Sequence, residues 1–200
     1  MPRNLIEGLR RFRAEHFPRF REHYERLVAE GQKPGALFIG CSDSRVVPDV
    51  LMGTGPGELF IVRNVGNFVP PFEDARGYHG TAAAIEFGVL TLGVSDIIVC
   101  GHSHCGAIRA LYDPPDPRTP HTNQWLELGR DAEVEGPLDE ALLRQTEQRS
   151  VALQLSRLMT YPMVRDAVEQ NRLALHGWHY IIEEGTVLIL DVDRAEFVAA

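Results

Sequence analysis

Two short apolar runs, residues 36–40 and 97–100, each lead into side chains that bind soft metals. The first runs directly into Cys41. The second is followed by Gly101 and then His102, with Cys105 three positions on. A third run lies at residues 58–62, and the mostly apolar stretch 81–93 has helical character. Strand, helix, strand at this spacing is a βαβ pattern, which requires parallel strands. Side chains just beyond the C-terminal ends of such strands share one crevice. The spacing therefore predicts an α/β fold with a mainly parallel central sheet flanked by helices, and brings Cys41, His102 and Cys105 to one end of it.

Two thiolates and an imidazole are the ligands zinc prefers, and three protein ligands leave a fourth position open. Two residues separate His102 from Cys105, so both can reach one ion from a tight turn, eased by Gly101 and Gly106. Cys100, inside the run IIVC, reads as a small buried hydrophobe. His104 competes with His102 as a ligand; otherwise it is a proton relay or a solvated surface histidine. Asp43 and Arg45 stand two apart, so an extended backbone puts them on one side. Arg45 can hold the carboxylate bidentately and keep it off the metal. Without that clamp Asp43 could close the site as a fourth ligand, which is what a purely structural zinc module for assembly would need.

The rest of the chain narrows the setting. Its 200 residues suit one domain, expected as a helical arm at residues 1–30 and a core at residues 31–200. In the arm Leu5, Leu9, Phe12, Phe17, Phe20, Tyr24 and Leu27 recur at helical spacing, and Pro18 is expected to break the helix near Phe17. Four prolines between residues 113 and 120 mark a loop. A long helix is predicted over 138–159, and two strands over 178–182 and 187–190 around a turn at Glu184-Gly185. The net charge of −8 argues against nucleic acid as a partner. Three cysteines are too few for a disulfide framework and suit a reducing compartment. No run reaches the length of a membrane span, and Glu7, Arg10, Arg11 and Arg13 interrupt any signal-peptide core. A cytoplasmic protein is expected; a bacterial microcompartment would suit the same residues.

Three blocks carry a resemblance. CSDSRV at 41–46, RNVGN at 63–67 and CGHSHCGA at 100–107 resemble, in order and spacing, the signature blocks of the β-class carbonic anhydrases. The resemblance implies reversible hydration of carbon dioxide to bicarbonate and one zinc per chain. It assigns the ligands to Cys41, His102 and Cys105, and a catalytic dyad to Asp43 and Arg45. It gives Gln32 the position of a substrate-contacting amide, and implies a homodimer or higher homo-oligomer with the arm lying over a partner and Gln32 and Phe87 acting across subunits. Phe60 and Phe87 read either as the lining of an apolar carbon dioxide pocket or as core aromatics, and Gly106 is a further candidate substrate contact. Relatives of this fold that hydrolyse carbon disulfide or carbonyl sulfide form the alternative. Gln32, nine residues before Cys41, matches the plant-type subgroup, whereas Phe87 stands where that subgroup has Tyr. Some β-class members bind a second, inhibitory bicarbonate through a Trp, an Arg and a Tyr. Here Arg63 and Tyr180 match two of those positions and Phe38 takes the third, so that switch is expected to be absent. Two thiolates make zinc a weaker Lewis acid than imidazoles do, so activity should rise toward alkaline pH.

Overall fold

Six strands form one sheet in the computed structural model, which describes residues 3–72 and 79–200. They are β1 (Ala36–Cys41), β2 (Leu59–Asn64), β3 (Asp96–His102), β4 (Ala174–Ile181), β5 (Thr186–Asp191) and β6 (Glu196–Ala199), in the order β2-β1-β3-β4-β5-β6. The first four are parallel, and β5 and β6 add antiparallel at one side. Both faces of β1 and β3 are covered. Leu37, Ile39, Ile97 and Val99 point into one apolar cluster with Val151, Leu155 and Leu158; Phe38, Ile98 and Cys100 point into another beside Trp178 and Tyr180. Burial on both faces explains why these strands read as unbroken apolar runs.

After two N-terminal helices come α3 (Pro48–Met52), α4 (Gly80–Glu86), α5 (Gly106–Leu111), α6 (Pro120–Leu126) and the long α7 (Glu140–Leu158), and two glycines set how closely α7 approaches the sheet. A Cβ at Gly101 of β3 would come within 2.7 Å of Val151 Cγ2, and one at Gly177 of β4 within 3.0 Å of both Val151 and Leu155. Helix α7 starts with Asp139 as its cap, whose carboxylate accepts the N–H of Leu142. Its buried face is not wholly apolar: Thr146, Glu147, Ser150 and Gln154 share it with Val151, Leu155 and Leu158. Gln154 accepts the N–H of Val69 at 2.8 Å, and the buried Tyr161 hydroxyl donates to the Pro70 carbonyl at 2.8 Å. These bonds satisfy backbone groups that enter the core.

The chain divides into two compact units, Met1–Lys33 and Pro34–Ala200. The first is helical: α1 (Arg3–Arg11) and α2 (Phe17–Glu30) are joined by a π-helical stretch, Phe12–His16. The expected break at Pro18 is instead a change of hydrogen-bond spacing, with Arg11 and Phe17 both in helical dihedrals. Proline removes one N–H and crowds the carbonyl four residues back, and the wider turn absorbs both without ending the helix. Within this unit Phe17 stacks on Tyr24 at 5.6 Å, while Leu5, Leu9 and Phe12 are exposed.

Candidate metal centre

Strands β1 and β3 are neighbours, paired at Gly40 and Cys100, so their last residues, Cys41 and His102, lie side by side. The turn after His102 returns Cys105 to the same spot. The donor atoms of Cys41, His102 and Cys105 all lie within 4.8 Å of one another, and the three residues are 6, 0 and 3% exposed. His102 Nδ1 is engaged with the Ser103 carbonyl at 2.8 Å, which leaves Nε2 to face the sulfurs. That buried nitrogen has no hydrogen-bond partner among the described residues. A polar atom buried without a partner is costly, and one metal ion among two sulfurs and one nitrogen removes the cost. The donor set fits zinc.

The two sulfurs are electrostatically unequal. The Cys105 thiol, with His102 and the Gly66 and Asp43 backbone, holds the Cys41 thiol down at about 4 against the effect of burial. The same contact with Cys41 drives Cys105 well above the ordinary thiol range. A dication held between the two sulfurs would stabilise both as thiolates. Cys100 is different: burial pushes it up to about 12, consistent with its reading as an inert core residue.

Asp43 overlooks this cluster. Its Oδ2 lies 3.9 Å from His102 Nε2. Arg45 Nε donates to Asp43 Oδ1 at 2.9 Å and Arg45 Nη2 to Oδ2 at 2.8 Å, while the Arg45 backbone N–H donates to Oδ1. These bonds hold the Asp43 carboxyl far below the usual carboxylate range. Arg45 Nη2 also donates to the His104 carbonyl at 3.0 Å, linking the two ligand-bearing loops.

Other residues stand outside the expected set. Arg63 donates from Nε to the Cys41 carbonyl at 2.9 Å and from Nη2 to the Asp43 carbonyl at 2.6 Å. The Gly66 N–H points at Cys41 Sγ, at 3.4 Å. The RNVGN block thus braces the first loop, a role that its position in β2 and the turn after it could have indicated. Glu183 takes the Ser103 hydroxyl at 2.7 Å and sits 3.3 Å from His104 Nε2, so His104 is an exposed, partnered side chain at the rim. The Ser103 bond holds Glu183 down at about 2. Glu147, buried on α7, accepts the Cys105 N–H, and no local motif announced it.

The substrate candidates are dispersed. Gly106 follows Cys105 at the start of α5 (Gly106–Leu111), exposed beside the donors. Phe60 and Phe87 touch each other at 5.8 Å, but Phe60 is in register with Leu37, four residues and roughly 13 Å of strand away from Cys41. Phe87 is 44% exposed. Gln32 is exposed in the N-terminal unit. Within one chain Phe60 and Phe87 do not join the donor cluster.

The family model described as carbonic anhydrase matches residues 36–187. A carbonic anhydrase of Pseudomonas aeruginosa is 41% identical over 203 residues, covering 98% of this chain and 91% of the relative. Among solved structures, the β-carbonic anhydrase CcaA superposes with a TM-score of 0.91 at 38% identity, covering 98% of each chain. A tetrameric β-carbonic anhydrase of Sordaria macrospora does so at 0.75 and 28% identity, covering 94% of this chain and 92% of its own. A parallel sheet with a Cys-His-Cys centre at its C-terminal end defines the class, and the chain belongs to the β-carbonic anhydrase family.

Proposed function

We propose that this protein is a zinc-dependent carbonic anhydrase that interconverts carbon dioxide and water with bicarbonate and a proton. The observation that carries the reading is the cluster of Cys41, His102 and Cys105 donors around an unpartnered, buried His102 Nε2, with Asp43 clamped beside it. Zinc held by these three residues would supply Lewis acidity that lowers the pKa of water, less strongly than a site of imidazoles alone would. Asp43, the first of two proposed catalytic residues, presents Oδ2 as an acceptor for the O–H of the attacking water and so orients its lone pair toward the carbon. Arg45, the second, occupies both Asp43 oxygens and holds the carboxylate away from the donors. The proton released passes to solvent buffer. Gly106, exposed next to Cys105, is proposed as a backbone contact for bicarbonate. Phe60, Phe87 and Gln32 are proposed as substrate contacts supplied across a subunit boundary, since Phe60 and Phe87 do not join the donors in their own chain.

The assembly proposed is a homodimer or larger homo-oligomer; the tetrameric Sordaria relative supports it. The division into an arm at residues 1–30 and a catalytic core at 31–200 belongs to the same reading. No described helix is long and apolar enough to cross a membrane, and a cytoplasmic location is proposed. The non-switched, plant-type subgroup is proposed on two supports. Phe38 is fully buried and has no N–H to offer an anion. Arg63 already spends its Nε and Nη2 on the carbonyls of Cys41 and Asp43.

Stopped-flow hydration of carbon dioxide, before and after zinc chelation, tests the main reading. Activity lost on chelation and regained with zinc is expected; a zinc-loaded protein without hydration activity would refute it. Hydrolysis of carbon disulfide or carbonyl sulfide is not favoured, because the relative at 41% identity is a carbonic anhydrase; sulfide release measured on the same sample checks it.

A further inference from the structure

The peptide unit between His104 and Cys105 is gripped at both ends. Its carbonyl oxygen accepts from Arg45 Nη2 at 3.0 Å, on the solvent side. Its N–H donates to Glu147 Oε1 at 3.1 Å, in the interior. His104 has a φ of 56°, a left-handed conformation that a residue with a side chain adopts at a cost, so this turn needs outside contacts to persist. Cys105 precedes α5, and the first amides of a helix have no partner within it.

We infer that Glu147 is a positioning residue for the metal centre: with His179 behind it, its carboxylate fixes the 104–105 peptide plane and thereby the direction of the Cys105 donor. The inference rests on the zinc reading above. Glu147 is 4% exposed and both its oxygens are occupied. Oε2 lies 3.0 Å from Nε2 of His179, which is itself fully buried on β4. A carboxylate can only accept, so Nε2 carries the proton in this contact. His179 Nδ1 has no partner among the described residues, and the ring meets Phe197 edge-on at 6.1 Å. Among the described residues the imidazole therefore has one hydrogen-bond partner, and it is Glu147. Burying a carboxylate is expensive, and an apolar residue would fill this stretch of α7 at less cost, as Val151 and Leu155 do further along. What an apolar side chain could not do is accept the Cys105 N–H. The close approach of α7 that Gly101 permits brings the carboxylate within reach of the turn.

The arrangement complements the Asp43–Arg45 pair. Arg45 connects Asp43 to the oxygen of this peptide, and Glu147 holds its nitrogen, so the orienting carboxylate and the third donor are referred to one rigid plane. Such outer contacts typically change metal affinity about 10- to 100-fold when removed.

The test compares Glu147→Met, which keeps the length but loses the acceptor, with Glu147→Gln, which keeps an acceptor for the Cys105 N–H. The full-length protein is used. Zinc affinity is read by competition with a chromogenic chelator, and the site's geometry by the absorption of the cobalt-substituted protein. Glu147→Met is expected to weaken zinc binding about 10- to 100-fold and to shift the cobalt–thiolate bands; Glu147→Gln should stay close to the parent protein in both. The double variant Glu147→Met with His179→Phe replaces the pair by apolar groups and should recover thermal stability while zinc affinity stays low; it also carries the measurement if the single variant folds poorly. Unchanged zinc affinity and cobalt bands in Glu147→Met would overturn the inference, as would recovery of affinity in the double variant, which would trace the loss to packing. A parent protein that binds no zinc would instead sink the zinc reading itself.

Discussion

The two loops that build the metal centre are held in different ways. The loop after β1 is braced near the surface by residues close in sequence or on the next strand. Arg45 holds Asp43 two positions away, and Arg63 of β2 ties down the carbonyls of Cys41 and Asp43. The loop after β3 is held from beneath, by Glu147 on α7, and at its rim by Glu183 through Ser103. An exposed brace is screened by water and works through geometry; a buried one is costly to make and costly to break. The surface loop carries the groups proposed for chemistry, and the loop after β3 carries two of the three donors, His102 and Cys105, both buried.

That contrast can be broken by mutation. The largest effect is expected at the donors: Cys105→Ser should lose most of the zinc and with it the activity, as metal analysis and hydration rate would show. Full zinc retention would remove Cys105 from the set. Next come Asp43→Ala and Arg45→Ala, each expected to lower the hydration rate about 100-fold, within the range of a removed acid–base group, with zinc content kept. Because the two act as one unit, the double variant should be little worse than either single; losses that simply multiply would separate them. Arg63→Met removes the outer brace only. It should cost about 1 kcal/mol per lost bond in thermal stability and less activity than Arg45→Ala, and an equal loss of activity would make bracing as important as the dyad.

The smallest effect is expected at Glu183, whose carboxyl is held down at about 2 by the Ser103 hydroxyl, against an ordinary value of 4.5. A lowered folded-state pKa means a contribution that is complete above the ordinary value and is lost as pH falls toward the lowered one. Glu183→Gln should therefore flatten the melting temperature against pH between these two values and change little above them. An unchanged slope would show that the rim contact contributes nothing to stability.

The same contrast explains how much was legible in the sequence. β1 and β3 could be read because both their faces are buried, which leaves unbroken apolar runs, and the donors follow them directly. Asp43 and Arg45 could be read because they pair over two residues. Glu147 and His179 could not: they are 32 positions apart, each surrounded by ordinary residues, and they meet only because Gly101 lets α7 lie close on β3. The polar residues Thr146, Glu147, Ser150 and Gln154 blur the apolar period of α7, although they lie on its buried face. The short edge strand β6 has one half-buried residue in four, too little pattern to announce a strand. In the arm, the proline was visible but its consequence was not, since a π-helical stretch and a helix break share the same local sequence.

Bicarbonate dependence sharpens the account of the first loop. With Phe38 buried and Arg63 engaged on two carbonyls, activity against pH should rise smoothly toward alkaline pH at every bicarbonate concentration. A steep, cooperative loss on the acid side, deepened by bicarbonate beyond product inhibition, would put Arg63 to a different use.

The central claim is that both loops supply donors to one zinc, two sulfurs and one nitrogen in all. X-ray absorption at the zinc edge of the purified, zinc-loaded protein tests it most directly. The account predicts two sulfur scatterers at about 2.3 Å per zinc, with imidazole scattering from a single histidine. A shell with one sulfur or none, or with scattering from two histidines, would contradict it.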